Sequence, residues 1–318
     1  MKTVAASHSG HPMTRYRRRG VELRDRSGSS LLLVFWAITL LSMSVIAWAK
    51  WINQDIALDG QANRDSEARA MAHSGMALAL HPLVGRQSPQ LTKDFGSQLG
   101  YRVQMVGEGG KLNVNWLLAG EDPRKLNIFK LWLERMGLDF HEREVLVDCL
   151  LDYVDADNLK RLNGMEDEGD YHPANRPLLT LDELRDVKGC EPLTNKPGWK
   201  DNLTLYSGGL IDVLAAPPEV FRALPGFGDA MIERFVTYRS GKDGILGNAD
   251  DPIFNSLREV QLFLGLNDVQ FKALGGLLGM RDPVMHITAK GFSGKVIRQV
   301  DVVARKGASN PAILYWTE

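Results

Sequence analysis

The sequence predicts an α+β protein with a long N-terminal helix, a small antiparallel sheet and a large α-helical domain inserted between the strands of that sheet. Three observations lead to this prediction. An apolar run without charge covers residues 29–49, and strand-like alternation is confined to residues 101–106, 285–289, 296–304 and 313–316. The stretch between the first of these strands and the rest has helical character. The strands are therefore far apart in sequence, and the helical residues between them form an insertion.

The N-terminal region joins a basic leader to an apolar run. Residues 1–28 are polar and carry six arginines: Arg15, Arg17, Arg18, Arg19, Arg24 and Arg26. No charge then occurs from Ser29 until Lys50. A helix of that length rises about 1.5 Å per residue and spans a hydrocarbon core of about 30 Å. Because the positive charges precede the span, we expect a single-pass inner-membrane protein with a cytoplasmic N-terminus and an extracytoplasmic main body.

Three alternatives account for the apolar run. It is a plain membrane anchor, or a secretory signal cleaved after the small-x-small triplet Ala47-Trp48-Ala49, or a segment that is kept after cleavage at Gly28. The run is longer than the apolar core of about 7 to 15 residues that is typical of cleaved signals. Length therefore favours the anchor and the segment processed at Gly28.

Cleavage after Gly28 would make Ser29 the first mature residue, and this arrangement resembles the processing site of type IV prepilins and pseudopilins. Most members of that family carry a Glu at the fifth mature position, where this chain has Leu33. A carboxylate in an apolar layer is costly unless it meets a cation. The minor pseudopilin K family of type II secretion systems lacks this Glu, and the chain resembles that family in particular.

The segments after the apolar run complete the resemblance. Residues 61–80 continue the helix with apolar side chains at helical spacing, and Pro82 ends it. The predicted segments are a leader at 1–28, a transmembrane segment at 29–49, a pilin helix and first strands at 50–114, an inserted α-helical domain with helix-hairpin-helix-like units at 115–280, and C-terminal strands completing the pilin-like sheet at 281–318.

A first acidic loop follows an apolar helical stretch and is the strongest local resemblance to the K family. Its acidic residues are Asp152, Asp155, Asp157, Glu166 and Asp167. In that family a similar loop is stabilised by calcium, which takes six to eight oxygen ligands. The resemblance therefore implies calcium as a cofactor held by these residues. The alternative is a solvated loop in which the Asp side chains cap helices.

A second acidic loop also has the composition of a calcium site. Its candidate ligands are Asp243, Asn248, Asp250 and Asp251, and its glycines allow the tight backbone that carbonyl ligation needs. The spacing does not fit the EF-hand, which requires a Glu at its twelfth position.

The segment 224–230 resembles the turn of a helix-hairpin-helix unit. In DNA-binding versions the amides of this turn meet a phosphate, which suggests a membrane-tethered DNA receptor of competence type as the alternative function. Phosphate binding draws most of its affinity from basic side chains. Acidic neighbours offset the arginines here, and the chain as a whole has 38 basic against 39 acidic residues. We therefore expect a protein-packing unit and no nucleic-acid partner.

The two cysteines, Cys149 and Cys190, leave two alternatives open: a disulfide in an oxidising compartment, or buried free thiols. No nucleophile lies in a catalytic motif, so an enzyme is not expected. The resemblance implies a minor pseudopilin that caps the tip of the type II secretion pseudopilus and helps to initiate its assembly. The implied partners are the I- and J-type minor pseudopilins, the inner membrane and exported proteins.

Overall fold

The computed structural model describes residues 27–96, 98–307 and 310–318, with the backbone alone for 27–29 and 53–60. The basic leader at 1–26 lies outside the described residues. The chain divides into two compact units, Met1–Gly60 and Gln61–Glu318.

The first element is helix α1, Ser27–Leu80. In the first unit its stretch Ser30–Ile52, 23 residues with a mean hydropathy of 2.3, is long and apolar enough to cross a membrane. The side chains of this stretch are almost all exposed, including Leu33 at 71%. An exposed apolar helix of this length is what a bilayer would accommodate. The predicted span at 29–49 falls almost entirely within it.

In the second unit, the last turns of α1 pack on an antiparallel sheet. Ala68, Ala72, Met76 and Ala79 recur at intervals of three or four residues and are fully buried. Three of the four are alanines, so the helix lies close to the sheet below it. Gly291 of the sheet lies directly against this part of α1.

The sheet has five strands in the order β1-β2-β7-β8-β9, and all of its pairs are antiparallel. Its strands are β1 Thr92–Asp94, β2 Leu99–Gly107, β7 Val284–Ser293, β8 Val296–Arg305 and β9 Ala312–Thr317. Strand β2 pairs with β7 along its whole length, with Val103 opposite Ala289. The predicted sheet of sequence-distant strands is thus confirmed.

The helical region lies between β2 and β7 in sequence and has its own apolar core. It contains α2 Val114–Leu118, α3 Pro123–Arg135, α4 Phe140–Val154, α5 Glu191–Thr194, α6 Pro218–Arg222, α7 Asp229–Arg239, α8 Leu257–Leu264 and α9 Asp268–Ala273. Two short parallel pairs join distant parts of this region, and their strands are β3 Leu112–Asn113, β4 Leu203–Thr204, β5 Ile211–Asp212 and β6 Leu278–Gly279. The predicted insertion covers nearly all of this core, which begins at Leu112 and ends at Leu278.

Candidate metal centre

Three carboxylates meet where α4 ends and the first acidic loop begins. Asp152 lies in the last turn of α4 and is fully buried, Asp155 follows the helix, and Glu166 returns from the loop with an exposed fraction of 7%. One oxygen from each residue lies within 4.8 Å of the other two. These three residues are called the acidic cluster below.

Several oxygens of the acidic cluster lack donors. Both oxygens of Glu166, and Oδ1 of Asp155, are buried and accept no hydrogen bond from any described residue. Burial raises the pKa of Glu166, and the charges of Asp152, Asp155 and Asp157 raise it further. An unpartnered buried carboxylate is costly. The cluster therefore has the chemistry of a site for a hard cation.

Arg161 is the basic side chain that pairs with the acidic cluster. Its Nη1 lies 2.6 Å from Asp152 Oδ1 and 2.6 Å from Asp155 Oδ2, and its Nη2 lies 2.7 Å from Glu121 Oε1. Its backbone amide also donates to Asp152 Oδ2 at 3.2 Å. One guanidinium thus faces two of the three clustered carboxylates and leaves Glu166 without a donor.

The loop is held against α4 by direct hydrogen bonds. Asp148, one turn before Asp152, accepts from the backbone amide of Asn163 at 3.1 Å and from its side chain at 2.9 Å. Gly164 then passes directly over Asp152. A Cβ at residue 164 would overlap Asp152 Oδ2 and lie 2.7 Å from its Cγ. The absence of a side chain at Gly164 is therefore a condition for closing the acidic cluster.

Replacing Gly164 with alanine is expected to destabilise the fold by about 2 kcal/mol, because Asp152 is enclosed and cannot move aside without losing Arg161. Thermal unfolding of the full chain in detergent measures the effect. Gly169→Ala is a control in the same loop: it has open space around its Cβ, with strain only from its positive φ of 65°. A loss for Gly164→Ala no greater than that of the control would contradict this account of the loop.

One segment of the chain is similar to a known protein family. Residues 110–196 match the family model for type II secretion system (T2SS), protein K. Two proteins named type II secretion system protein K are similar to this chain: one from Pectobacterium carotovorum subsp. carotovorum is 30% identical over 93 residues, and one from Dickeya chrysanthemi is 31% identical over 71 residues. Residues 110–196 of this chain are thus similar to protein K of type II secretion systems. The alignments cover 25% and 22% of this chain and 28% and 20% of those relatives, so each spans about a quarter of the proteins compared.

A solved structure shows the fold over a longer stretch. One chain of the crystal structure of the GspK-GspI-GspJ complex from the enterotoxigenic Escherichia coli type 2 secretion system superimposes with a TM-score of 0.53 at 14% identity. The superposition covers 84% of this chain and 98% of that chain. The family resemblance and the fold class predicted from the sequence are both confirmed. The acidic cluster, Arg161 and Gly164 all lie inside the segment that matches the protein K model.

The other two acids predicted for the first loop lie outside the acidic cluster. Asp157 is exposed, and its Oδ1 accepts from the amide of Leu159 at 2.8 Å, a local turn contact in an exposed loop whose residues 155–170 form no helix. Asp167 is exposed and contacts His172. Their roles as ligands stay predictions that these contacts do not support.

The second acidic loop uses its acids to fold its own backbone. Asp250 Oδ2 accepts from Lys242 N at 2.6 Å, and Asp251 Oδ2 accepts from Gly247 N at 2.7 Å. Asn248 Nδ2 donates to Asp243 Oδ2 at 2.7 Å. Among the residues whose side chains the structure describes, the acidic cluster of the first loop is the one grouping of three carboxylates at ligand distance.

This second loop also joins the helical region to the sheet. Leu246 O accepts from the side chain of Gln104 at 2.6 Å, and Gly247 O accepts from the amide of Met105 at 3.2 Å, both on strand β2. Gln87 Nε2 donates to Asp251 O at 2.9 Å. The loop therefore has a structural role in joining the helical region to the sheet, and its predicted calcium site stays untested.

The arginines near the helix-hairpin-helix turn are engaged within the protein. Arg222 pairs with Asp229 at 2.8 Å, and Arg234 donates to the carbonyl of Phe263 at 3.0 Å. Arg239 is buried and donates to the carbonyl of Val213 at 2.6 Å. These contacts favour the protein-packing interpretation of the turn over phosphate binding.

The two cysteines and the predicted processing site complete the set of predicted residues. Cys149 and Cys190 are buried free thiols, which is the second of the two alternatives that the sequence leaves open. Burial raises the pKa of Cys149 to about 11, so it is a poor nucleophile. Gly28 and Ser29 lie in the first turn of α1, and their processing stays a prediction.

Proposed function

We propose that this chain is a minor pseudopilin of a type II secretion system, with a structural rather than an enzymatic role. The observation that carries the proposal is the protein K match over residues 110–196, within a fold that follows a solved GspK complex chain over most of its length. The apolar stretch Ser30–Ile52 supplies the anchor in the inner membrane. The basic leader before it supports a cytoplasmic N-terminus and a periplasmic main body.

The proposed position is the tip of the pseudopilus, where the chain caps the filament and helps to initiate its assembly. Leu33 supports a tip position because it offers no carboxylate to the terminal ammonium of a neighbouring subunit. A subunit at the tip has no neighbour above it that would need such a partner. The helical region between β2 and β7 enlarges the sheet domain and would obstruct a further subunit above it. The I- and J-type minor pseudopilins are the proposed partners, in line with the solved GspK-GspI-GspJ complex, and exported proteins are further proposed contacts.

The test is assembly of the full chain in membranes that contain prepilin peptidase and both partner pseudopilins. Mass spectrometry is expected to find N-methylated Ser29 as the mature N-terminus, and the partners should co-purify in detergent. Gly28→Asp serves as the control, because it adds a side chain and a charge at the bond that is cut. A mature protein that starts at Lys50, or an intact leader without partners, would contradict the proposal.

We also propose that the acidic cluster holds calcium. Calcium binds carboxylate oxygens and accepts irregular coordination, so Asp152, Asp155 and Glu166 fit as ligands, with carbonyls or water completing the set. Bound calcium would supply the positive charge that Glu166 lacks and fix the loop to α4. The support is the two buried, unpartnered oxygens of Glu166 beside two further carboxylates.

Glu166→Gln is expected to change stability in opposite directions with and without calcium. Without calcium at pH 7 the variant should be more stable than the wild type by about 1 kcal/mol, because a neutral amide is less costly to bury than an unpartnered carboxylate. With calcium the wild type should be the more stable protein, because it alone keeps the ligand. Thermal melts in calcium chloride and in chelator measure both states.

Glu166 also determines how the stability of the calcium-free protein changes with pH. Because folding raises the pKa of Glu166, the native state binds this proton more readily than the unfolded state does. The stability that protonation contributes is present at low pH and is lost as the pH rises through the raised pKa. Calcium-free wild type should therefore approach Glu166→Gln in stability on acidification.

Glu168→Gln, an exposed change in the same loop, is the control for the calcium melts. Equal responses of Glu166→Gln and Glu168→Gln to calcium would refute the site.

A further inference from the structure

Arg161 already occupies part of the space in which a cation would act. When all groups are ionised, the acidic cluster has three negative charges and Arg161 has one positive charge. The guanidinium binds Asp152 and Asp155 with one nitrogen, Nη1, at 2.6 Å from each. Two of the three candidate ligands therefore have a resident counter-ion, and two negative charges remain for a divalent cation to neutralise.

We propose that Arg161 competes with calcium for Asp152 and Asp155, and so sets the calcium concentration at which the acidic cluster fills. This inference rests on the calcium site proposed above. Short charge-assisted hydrogen bonds hold the guanidinium, and a positive charge at that distance repels a second cation. Each carboxylate oxygen that Arg161 releases becomes available to the metal. The guanidinium and calcium therefore compete for the same carboxylate oxygens.

The structure provides a place for the guanidinium when it leaves these carboxylates. Glu121 binds the other terminal nitrogen, Nη2, at 2.7 Å. A cavity of about 220 Å³ adjoins it, lined by Glu121, Asp155 and Arg161 on one part and by Asn115, Leu118 and Pro177 on another. Arg161 can therefore turn away from the acidic cluster and keep one carboxylate partner.

Arg161→Gln is the direct test, made in the full chain in detergent and titrated with calcium chloride by calorimetry. The variant should bind calcium about ten-fold or more tightly than the wild type, because the competing charge is gone. Its melting temperature in chelator should fall, since Asp152 and Asp155 lose their counter-ion. The control is Arg143→Gln, because Arg143 is similarly buried and pairs with Glu134 at 2.6 Å away from the cluster.

A second variant protects the test against a chain that fails to fold without Arg161. Glu121 is an exposed side chain, so Glu121→Gln should fold, yet it removes the partner left to a displaced guanidinium. Calcium affinity should then fall a few-fold. Arg161→Gln that binds no more tightly than the wild type, or Glu121→Gln without effect, would overturn the competition while leaving the calcium site in place. Absence of calcium binding in wild type and Arg161→Gln alike would overturn both proposals.

Calcium binding by Arg161→Gln but not by the wild type would support the competition in its strongest form. In that case Arg161 keeps the site closed at the concentrations used. The Arg143→Gln control separates this result from a general effect of removing one positive charge, because it should bind as the wild type does.

Discussion

Gly291→Ala is expected to destabilise the second unit by about 3 kcal/mol. A Cβ at residue 291 would overlap the carbonyl oxygen of Ala68 and the amide of Ala72, and would lie 2.9 Å from the carbonyl carbon of Met71. All three are backbone atoms of α1, so no side-chain rotation relieves the overlap. The helix must move off strand β7, which uncovers the alanines that it buries.

The control for this variant is Gly85→Ala. Gly85 follows α1, has no atom within 4 Å of its Cβ position and has no positive φ, so alanine should leave stability unchanged or raise it slightly. Denaturant unfolding of both variants, followed by tryptophan fluorescence, measures the difference. Equal stability of the two variants would mean that α1 does not pack on β7 at Gly291.

Asp152→Asn is the second change with a large expected effect. It should lower the free energy of unfolding by about 3 kcal/mol and abolish the stabilisation by calcium. Asp152 is fully buried and accepts from both the side chain and the backbone amide of Arg161. The amide side chain removes the negative charge that the half-buried guanidinium of Arg161 faces. It also places an NH₂ group where both oxygens now accept, so at least one hydrogen bond is lost.

Asp170→Asn is the matched control, because Asp170 is an exposed acid of the same loop. Its change should leave stability within about 0.5 kcal/mol of the wild type and leave the calcium response intact. Melts with and without calcium chloride measure both properties. If Asp152→Asn were as mild as Asp170→Asn, the ion pair with Arg161 would not be part of the native structure.

The sequence predicts the architecture well because its strongest signals are long. The apolar stretch is longer than 20 residues, and the strands β2, β7 and β8 have nine or ten residues each, so that part of each strand shows its alternation in the sequence. The short pairs β3–β4 and β5–β6 have two residues per strand, and a segment of that length has no period to detect. They form because the surrounding helices bring Leu112 and Leu203 together.

The acidic cluster was predictable only in part. Asp152, Asp157 and Asp167 are equivalent in the sequence, each an aspartate of one loop, and they differ in burial, which tertiary packing decides. Arg161 gives no signal that separates it from the other basic residues, because its role depends on Asp152 and Glu121 lying on either side of it. The sequence has Asn163-Gly164 before Met165, but only the folded loop shows that Gly164 lies directly against Asp152.

The pairing of β2 with β7 has a consequence for how the chain folds. The two strands lie on either side of the whole helical region in the sequence. Their pairing is therefore a long-range contact, which raises the contact order and cannot form by local collapse. The entropy lost on closing such a loop rises only slowly with its length, by about 0.6 kcal/mol for each doubling. A helical region that has already condensed brings its two ends together and reduces this loss further. We therefore expect the helical core to form first and the sheet to close last, with the edge of β2 exposed in the interval.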